Sequence, residues 1–177
     1  MISQGIRALT LSLMLALLQP VSAQTAHDQC SHKTKTEDEH AAMMSRGEHA
    51  MGFSQTATTH HFLLKPDGGL ITVSANDAKD SASRDQIRMH LRHIAKAFSV
   101  GDFEIPMLVH DQKPPGVSVM KSHSQDIRYR FIESETGGQV SLVSRDPEAI
   151  QAIHEFLRFQ IREHKTGDRE TVEEPSR

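Results

Sequence analysis

The chain of 177 residues carries 20 Lys and Arg against 23 Asp and Glu, for a formal net charge of −3, with 12 histidines, one cysteine, one tyrosine and no tryptophan. That balance offers no general attraction to nucleic acid or to an anionic membrane, and stacking platforms are scarce. A single cysteine excludes an intramolecular disulfide, and the length allows one modest core.

Residues 1–23 read as a cleavable secretory signal. Arg7 supplies one positive charge with no acidic residue beside it, an apolar run extends from Leu9 to Leu18, and Val21-Ser22-Ala23 forms a small-residue cleavage site. The run is shorter than the roughly 20 residues a bilayer span requires, and no later segment is apolar enough to span. The sequence therefore predicts export to a periplasm or beyond, with no membrane span after cleavage. Residues 24–36 are polar and aperiodic, which predicts a flexible leader. Cys30 lies there, too far from the apolar run to be a lipid attachment site, and has no assigned role.

A single domain is expected over residues 37–167. It opens with a helix near Glu37 to Met51, broken by Gly47 and Gly52, that could cover an open sheet face. His60 to Ala75 gives two β-rich runs around Pro66-Asp67-Gly68-Gly69, a hairpin signal. Ile87, Leu91, Ile94, Ala95 and Phe98 then fall on one face of a helix, with Gly101 as its C-terminal cap. This is repeat one, residues 60–102. A proline-rich linker, 103–126, with Pro106 and Pro114-Pro115-Gly116, reads as irregular.

The same order returns in repeat two, residues 127–167. Tyr129 to Ser144 is a hairpin with its own Gly137-Gly138 turn. Asp146-Pro147 starts a helix striped by Ile150, Ile153, Leu157 and Ile161, ending at Gly167-Asp168. Aligning the Gly-Gly pairs places Phe62 on Phe131, Ile71 on Val140 and Val73 on Leu142. Aligning the helix ends places Ile87 on Ile153 and Leu91 on Leu157. An internal ββα duplication follows, and since a lone hairpin is marginal in water, the two units should form one four-stranded antiparallel sheet with both helices on one face, an α+β fold. Alternation points His60, Phe62, Ile71 and Val73 toward the helices and His61 away from them, beside the counterpart of Arg130. Residues 168–177 are charged and expected to be loose.

The histidines carry the chemistry. His90 and His93 lie three apart on the first helix, close enough to share a metal, and His60 should point toward them. These rings replace aromatics of the other copy: His90 and His93 match Phe156 and Phe159, and His60 matches Tyr129. The asymmetry reads either as a metal site or as a polar core of hydrogen-bonded histidines. The expected ligand set is His60, His61, His90 and His93, with His110 on the linker as a fifth ligand or gate. His40, Met43, Met44 and Met51 form a secondary set suited to Cu(I), or simply the apolar face of a covering helix. His154 falls beside the second helix's stripe, and His164 at its C-terminus is explained by the helix dipole.

Other chemistries find no motif. There is no G-x-S-x-G elbow, no H-E-x-x-H and no phosphate loop opening a helix, so no nucleotide is expected, and the missing C-x-x-C-H excludes the usual covalent haem c attachment. The expected function is binding of copper or zinc for buffering, delivery or sensing. The alternatives are a non-catalytic interaction or pH-responsive module, such as a homodimer or a module with a periplasmic partner, and, third, a metal-dependent hydrolase.

The stretches RGEHAMGFSQTATTHHF, IRMHLRHIAKAFSVGDF and IHEFLRFQIREHKTGD resemble a family of small exported bacterial proteins of unestablished function, over about His40 to Asp168. The resemblance carries over no catalytic or ligand residues. Some members bear an aspartate carbamoyltransferase name, yet this sequence has neither that enzyme's carbamoyl-phosphate motif of Ser, Thr and Arg nor its length.

Overall fold

The computed structural model describes residues 25–172, with side chains from residue 37 onward. The expected signal, residues 173–177 and the side chains of His27, Cys30 and His32 lie outside the described residues. In chain order the elements are α1 (Thr25–Met51), β1 (Thr58–Lys65), β2 (Gly68–Ala75), α2 (Ser81–Ser99), α3 (Glu104–His110), α4 (Val117–Ser122), β3 (Ile127–Glu133), β4 (Gly137–Ser144) and α5 (Pro147–His164). Among the described residues no helix is long and apolar enough to cross a membrane.

The four strands make one antiparallel sheet in the order β1-β2-β4-β3, and the helices pack on it in an α+β arrangement. At its centre β2 pairs with β4, and Ile71 stands opposite Val140. These two positions are equivalent in the duplication, so a pseudo-dyad passes through that pair. The helices are exchanged across it: α2 lies chiefly on β3 and β4, and α5 on β1 and β2. Each repeat therefore supplies the helix that covers the other's hairpin. Leu91 and Leu157, equivalent on the two helices, are 1 % and 0 % exposed, a burial that contributes about 1.5–3 kcal/mol apiece.

The alternation holds. Phe62, Leu64, Ile71, Val73, Val140 and Leu142 are buried beneath the helices, while Leu63, Leu70, Thr72, Gln139, Ser141 and Val143 on the second face are not. Asp80 caps α2 by accepting from the Ser83 amide at 3.0 Å, and Asp146 caps α5 by accepting from the Ala149 amide at 2.9 Å. At the end of α2, Gly101 and Asp102 donate back to the Phe98 and Ala97 carbonyls, a Schellman closure. α5 instead stops at His164, where Lys165 takes the left-handed conformation expected of a glycine at Gly167.

Several boundaries differ from expectation. α1 starts at Thr25, inside the stretch expected to be a leader, and no Gly or Pro interrupts it between Thr25 and Gly47. Nor does Gly47 break it: a Cβ there would overlap the Gln55 amide, which donates to the Met44 carbonyl at 2.8 Å. The C-terminal end of α1 covers the helix-bearing side, with Met51 and Phe53 in the common core, and leaves the other sheet face alone. The linker contains α3 and α4, since Pro106 sits in the first turn of α3, where its missing amide hydrogen is not needed. The tail begins tied down: Asp168 accepts from the Phe62 amide at 2.9 Å along the β1 edge, and Glu170 pairs with Arg162 at 2.6 Å.

The Gly-Gly pairs open strands β2 and β4 instead of forming the turns. The turns are Pro66-Asp67 and Ser134-Glu135-Thr136. A Cβ at Gly68 would collide with the Leu142 carbonyl, and one at Gly137 with the Val73 carbonyl, so each pair lets one repeat's backbone press against the other's. Gly137→Ala is accordingly expected to cost about 1–3 kcal/mol of unfolding free energy in urea, against less than about 0.5 kcal/mol for Ser141→Ala on the second face. Equal stabilities for the two variants would contradict this close central crossing.

Candidate functional site

Because each helix rides on the other's hairpin, α2 and α5 straddle the pseudo-dyad with a gap between them. A cavity of about 70 Å³ occupies it. Phe62 and Ile71 form the floor, His90, Ile94 and Phe98 one wall, and Phe156, Gln160 and His164 the other. α3 roofs it with Ile105, Pro106, Val109 and His110, and Met51 reaches in from the end of α1. The Arg46 guanidinium donates to the Val109 carbonyl at 2.9 Å, which ties α1 to that roof.

A column of rings runs beside the cavity. Phe53 stacks on His60 at 6.0 Å between centroids, and His60 stacks on His164 at 5.7 Å with planes 8° apart. His164 meets His110 edge-on at 5.1 Å, and His110 meets Phe159 at 4.9 Å. His90 touches Phe53 edge-on at 5.7 Å. All these separations lie in the attractive range for aromatic pairs. His164 is the hub, with Phe62 tilted against its ring at 5.6 Å as well.

Burial sets the charge state. His164 is pushed down to about 3 by desolvation first, then by His60, His110 and His40. His60 falls to about 4 through burial and then His61, and His90 to about 4 through burial, His60 and His93. His110 is also lowered by burial, though Gln160 and Glu163 oppose the shift. At neutral pH these rings are neutral, each keeping one bare nitrogen lone pair. In His110 the two ring nitrogens have different surroundings. Nε2 is hydrogen-bonded to the Gln160 side-chain amide at 2.9 Å, and in the tautomer that donates to Oε1 the Nδ1 atom is bare. It is buried without a hydrogen-bond partner, 3.8 Å from Glu163 Oε2. His60 Nε2 is likewise buried and unpartnered.

Of the five imidazoles expected from sequence, His60, His90 and His110 come together. His61 and His93 do not. His61 points off the opposite face of β1, half-exposed, with Nδ1 2.8 Å from Asp168 Oδ1. That carboxylate stays below its usual range although burial alone would raise it, because the Phe62 amide, the Thr166 hydroxyl and His61 outweigh the burial. His93 is exposed on α2, beyond the edge of the buried stripe. The secondary set joins the same place: Met51 lines the cavity, Met44 shares a hollow with His60 and His164, and His40 and Met43 line a cleft that also contains His110. His154 is spoken for, with Nε2 donating to the Lys65 carbonyl at 2.9 Å.

Sequence reasoning set His164 aside, yet a signal for it existed. The alignment that places Ile87 on Ile153 also places Phe98 on His164. The helices thus carry reciprocal pairs, His90 with Phe98 on α2 and Phe156 with His164 on α5, and all four side chains line the cavity.

Among the described residues no three His, Cys, Asp or Glu side chains form a ready-made metal group. Comparison of the chain with protein-family models, with curated proteins and with solved structures returns no match.

The buried imidazoles make the fold acid-labile in a defined window. Their folded-state values are depressed, so below about pH 6.5 the unfolded chain takes up protons that the folded chain refuses. The stability they allow is complete above that pH and is lost as pH falls toward 4. Each ring adds up to about 1.4 kcal/mol per pH unit to the slope. In urea unfolding with chelator present, stability should fall steeply from pH 6.5 to 4.5, and His164→Phe, which installs the side chain of the equivalent position, should flatten the fall. An unchanged slope in that variant would contradict the burial of a neutral His164.

Proposed function

We propose that this protein is an exported module that binds one transition-metal ion, copper or zinc, in the imidazole nest between α2 and α5. The observation that carries the reading is the convergence of His60, His90, His110 and His164 on one ring column and cavity, together with the Met51 thioether. Buried polar atoms without partners call for an explanation, and a bound ion supplies one for His60 Nε2 and His110 Nδ1. Burial also keeps the rings in the deprotonated form that metals require. The ligand set is thus revised from the one expected: His164 enters, and His61 and His93 leave. Buffering, delivery and sensing all fit such a site, and export rests on the signal-like residues 1–23.

The same burial narrows the pH-responsive alternative to a loss of stability in acid. Rings held neutral to about pH 4 do not change charge between pH 5 and 8 while the fold persists, so acid would unfold the module instead of switching it. A hydrolytic role would need an open coordination position with a general base beside it; among the described residues the carboxylate nearest the nest is Glu163, 3.8 Å from His110 Nδ1 and outside the cavity lining.

Calorimetric titration of the untagged protein with Zn(II), Cu(II) and, anaerobically, Cu(I) should give about one ion per chain for at least one of them. His164→Phe and His90→Phe, which keep the core packed, should weaken that binding at least about 100-fold, beyond what outer-shell changes typically cost. His61→Ala and His93→Ala should leave it unchanged. Binding lost with His61 or His93 but kept without His164 would overturn the assignment.

A further inference from the structure

We infer that the ion suited to this nest is monovalent copper, taken by two imidazoles, one of them His164, with the Met51 thioether. The inference rests on the metal-binding reading above and adds the identity and charge of the ion. It follows from what surrounds the cavity. His90, His110, His164, Met51 and the Gln160 amide supply the polar and polarisable atoms, and carbon side chains supply the rest. Among the described residues no carboxylate or thiolate lines the cavity itself; Glu163 Oε2 lies 3.8 Å from His110 Nδ1 in the adjoining cleft, and His90, His164 and Met51 are neutral ligands with no counter-charge in the cavity beside them.

The cost of moving an ion from water into a weakly polarisable interior grows with the square of its charge, and counter-charges or excellent coordination are needed to offset it. A divalent ion in this nest would keep both its charges. Zn(II) in protein sites takes four ligands in a tetrahedral arrangement, and no such cluster of His, Cys, Asp and Glu is present among the described residues. Cu(I) carries half that charge, is satisfied by few ligands, and prefers soft thioether sulfur alongside imidazole nitrogen. Met51 is 9 % exposed, packed within the common core and part of the cavity lining, so its side chain is held at the site.

Further soft donors lie just outside the cavity. His40 and Met43 line the cleft that shares His110 with the cavity, and Met44 lies in the hollow that shares His164. Thioether and imidazole are thus present in both hollows beside the cavity, in the His110 cleft together with Glu39, Asp111 and Glu163.

The test is competition under anaerobic conditions on the full chain carrying Cys30→Ser, which removes its one thiol. Cu(I) is supplied against the chromophoric chelator bicinchoninate, and Zn(II) and Cu(II) against chelators of known affinity. The expected result is Cu(I) affinity at least about 100-fold above that for Zn(II), as the softer donor set requires. Met51→Leu, a swap that nearly conserves volume, should lower Cu(I) affinity about tenfold or more and leave Zn(II) affinity unchanged. Tighter binding of Zn(II) or Cu(II), or Cu(I) affinity indifferent to Met51→Leu, would overturn the cuprous assignment and leave the metal reading standing. Failure of all three ions to bind would overturn both.

Discussion

Because α2 rests on β3 and β4 while α5 rests on β1 and β2, neither ββα repeat can close its own core. Folding must bring both copies together, and the sheet is joined at its centre by β2 and β4, whose leading glycines admit the opposing backbone. The same exchange holds the two long helices apart across the pseudo-dyad. What fills the intervening space is decided by a few side chains from each copy, roofed by α3 and closed by the end of α1.

Those side chains break the symmetry in a particular way. Where α2 presents His90 and Phe98, α5 presents Phe156 and His164, and Phe98 and Phe156 pack edge-to-face at 5.9 Å. Phenylalanine clearly fits both positions, since each helix has one there. An imidazole placed instead must lose water and stay neutral, with its nitrogen atoms poorly satisfied, as His60 and His110 illustrate. The arrangement therefore works against stability in mild acid, and the ion we propose would use the bare lone pairs that it leaves. Binding to the folded form would restore stability by mass action.

The fold was largely legible because its signals are periodic. Alternation in β1 put His60 under the helices and His61 outside them, and the spacing of Ile87, Leu91, Ile94 and Phe98 drew the buried face of α2. Features set by tertiary contact were not legible. Gly68 and Gly137 look like turn residues in sequence, and only the approach of β4 to β2 shows why they lack a Cβ. Pro106 suggested an irregular linker, although a proline in the first turn of a helix costs no hydrogen bond. His90 and His93 share a side of α2 by spacing, but the buried stripe ends between them. For His164 the helix dipole is a sufficient local explanation, and it conceals the equivalence to Phe98. Its partners His60 and His110 come from β1 and α3, so no local pattern announces the meeting.

Two-bond ¹⁵N–¹H spectra of the histidine rings, recorded before and after one equivalent of Cu(I), test the account at its centre. The account predicts that the ring nitrogens of His164 and of at least one of His60, His90 and His110 shift or exchange tautomer, while His61 and His93 keep their signals. Perturbation confined to exposed rings, with His164 unmoved, would contradict it and leave a duplicated α+β domain whose histidines serve as packing.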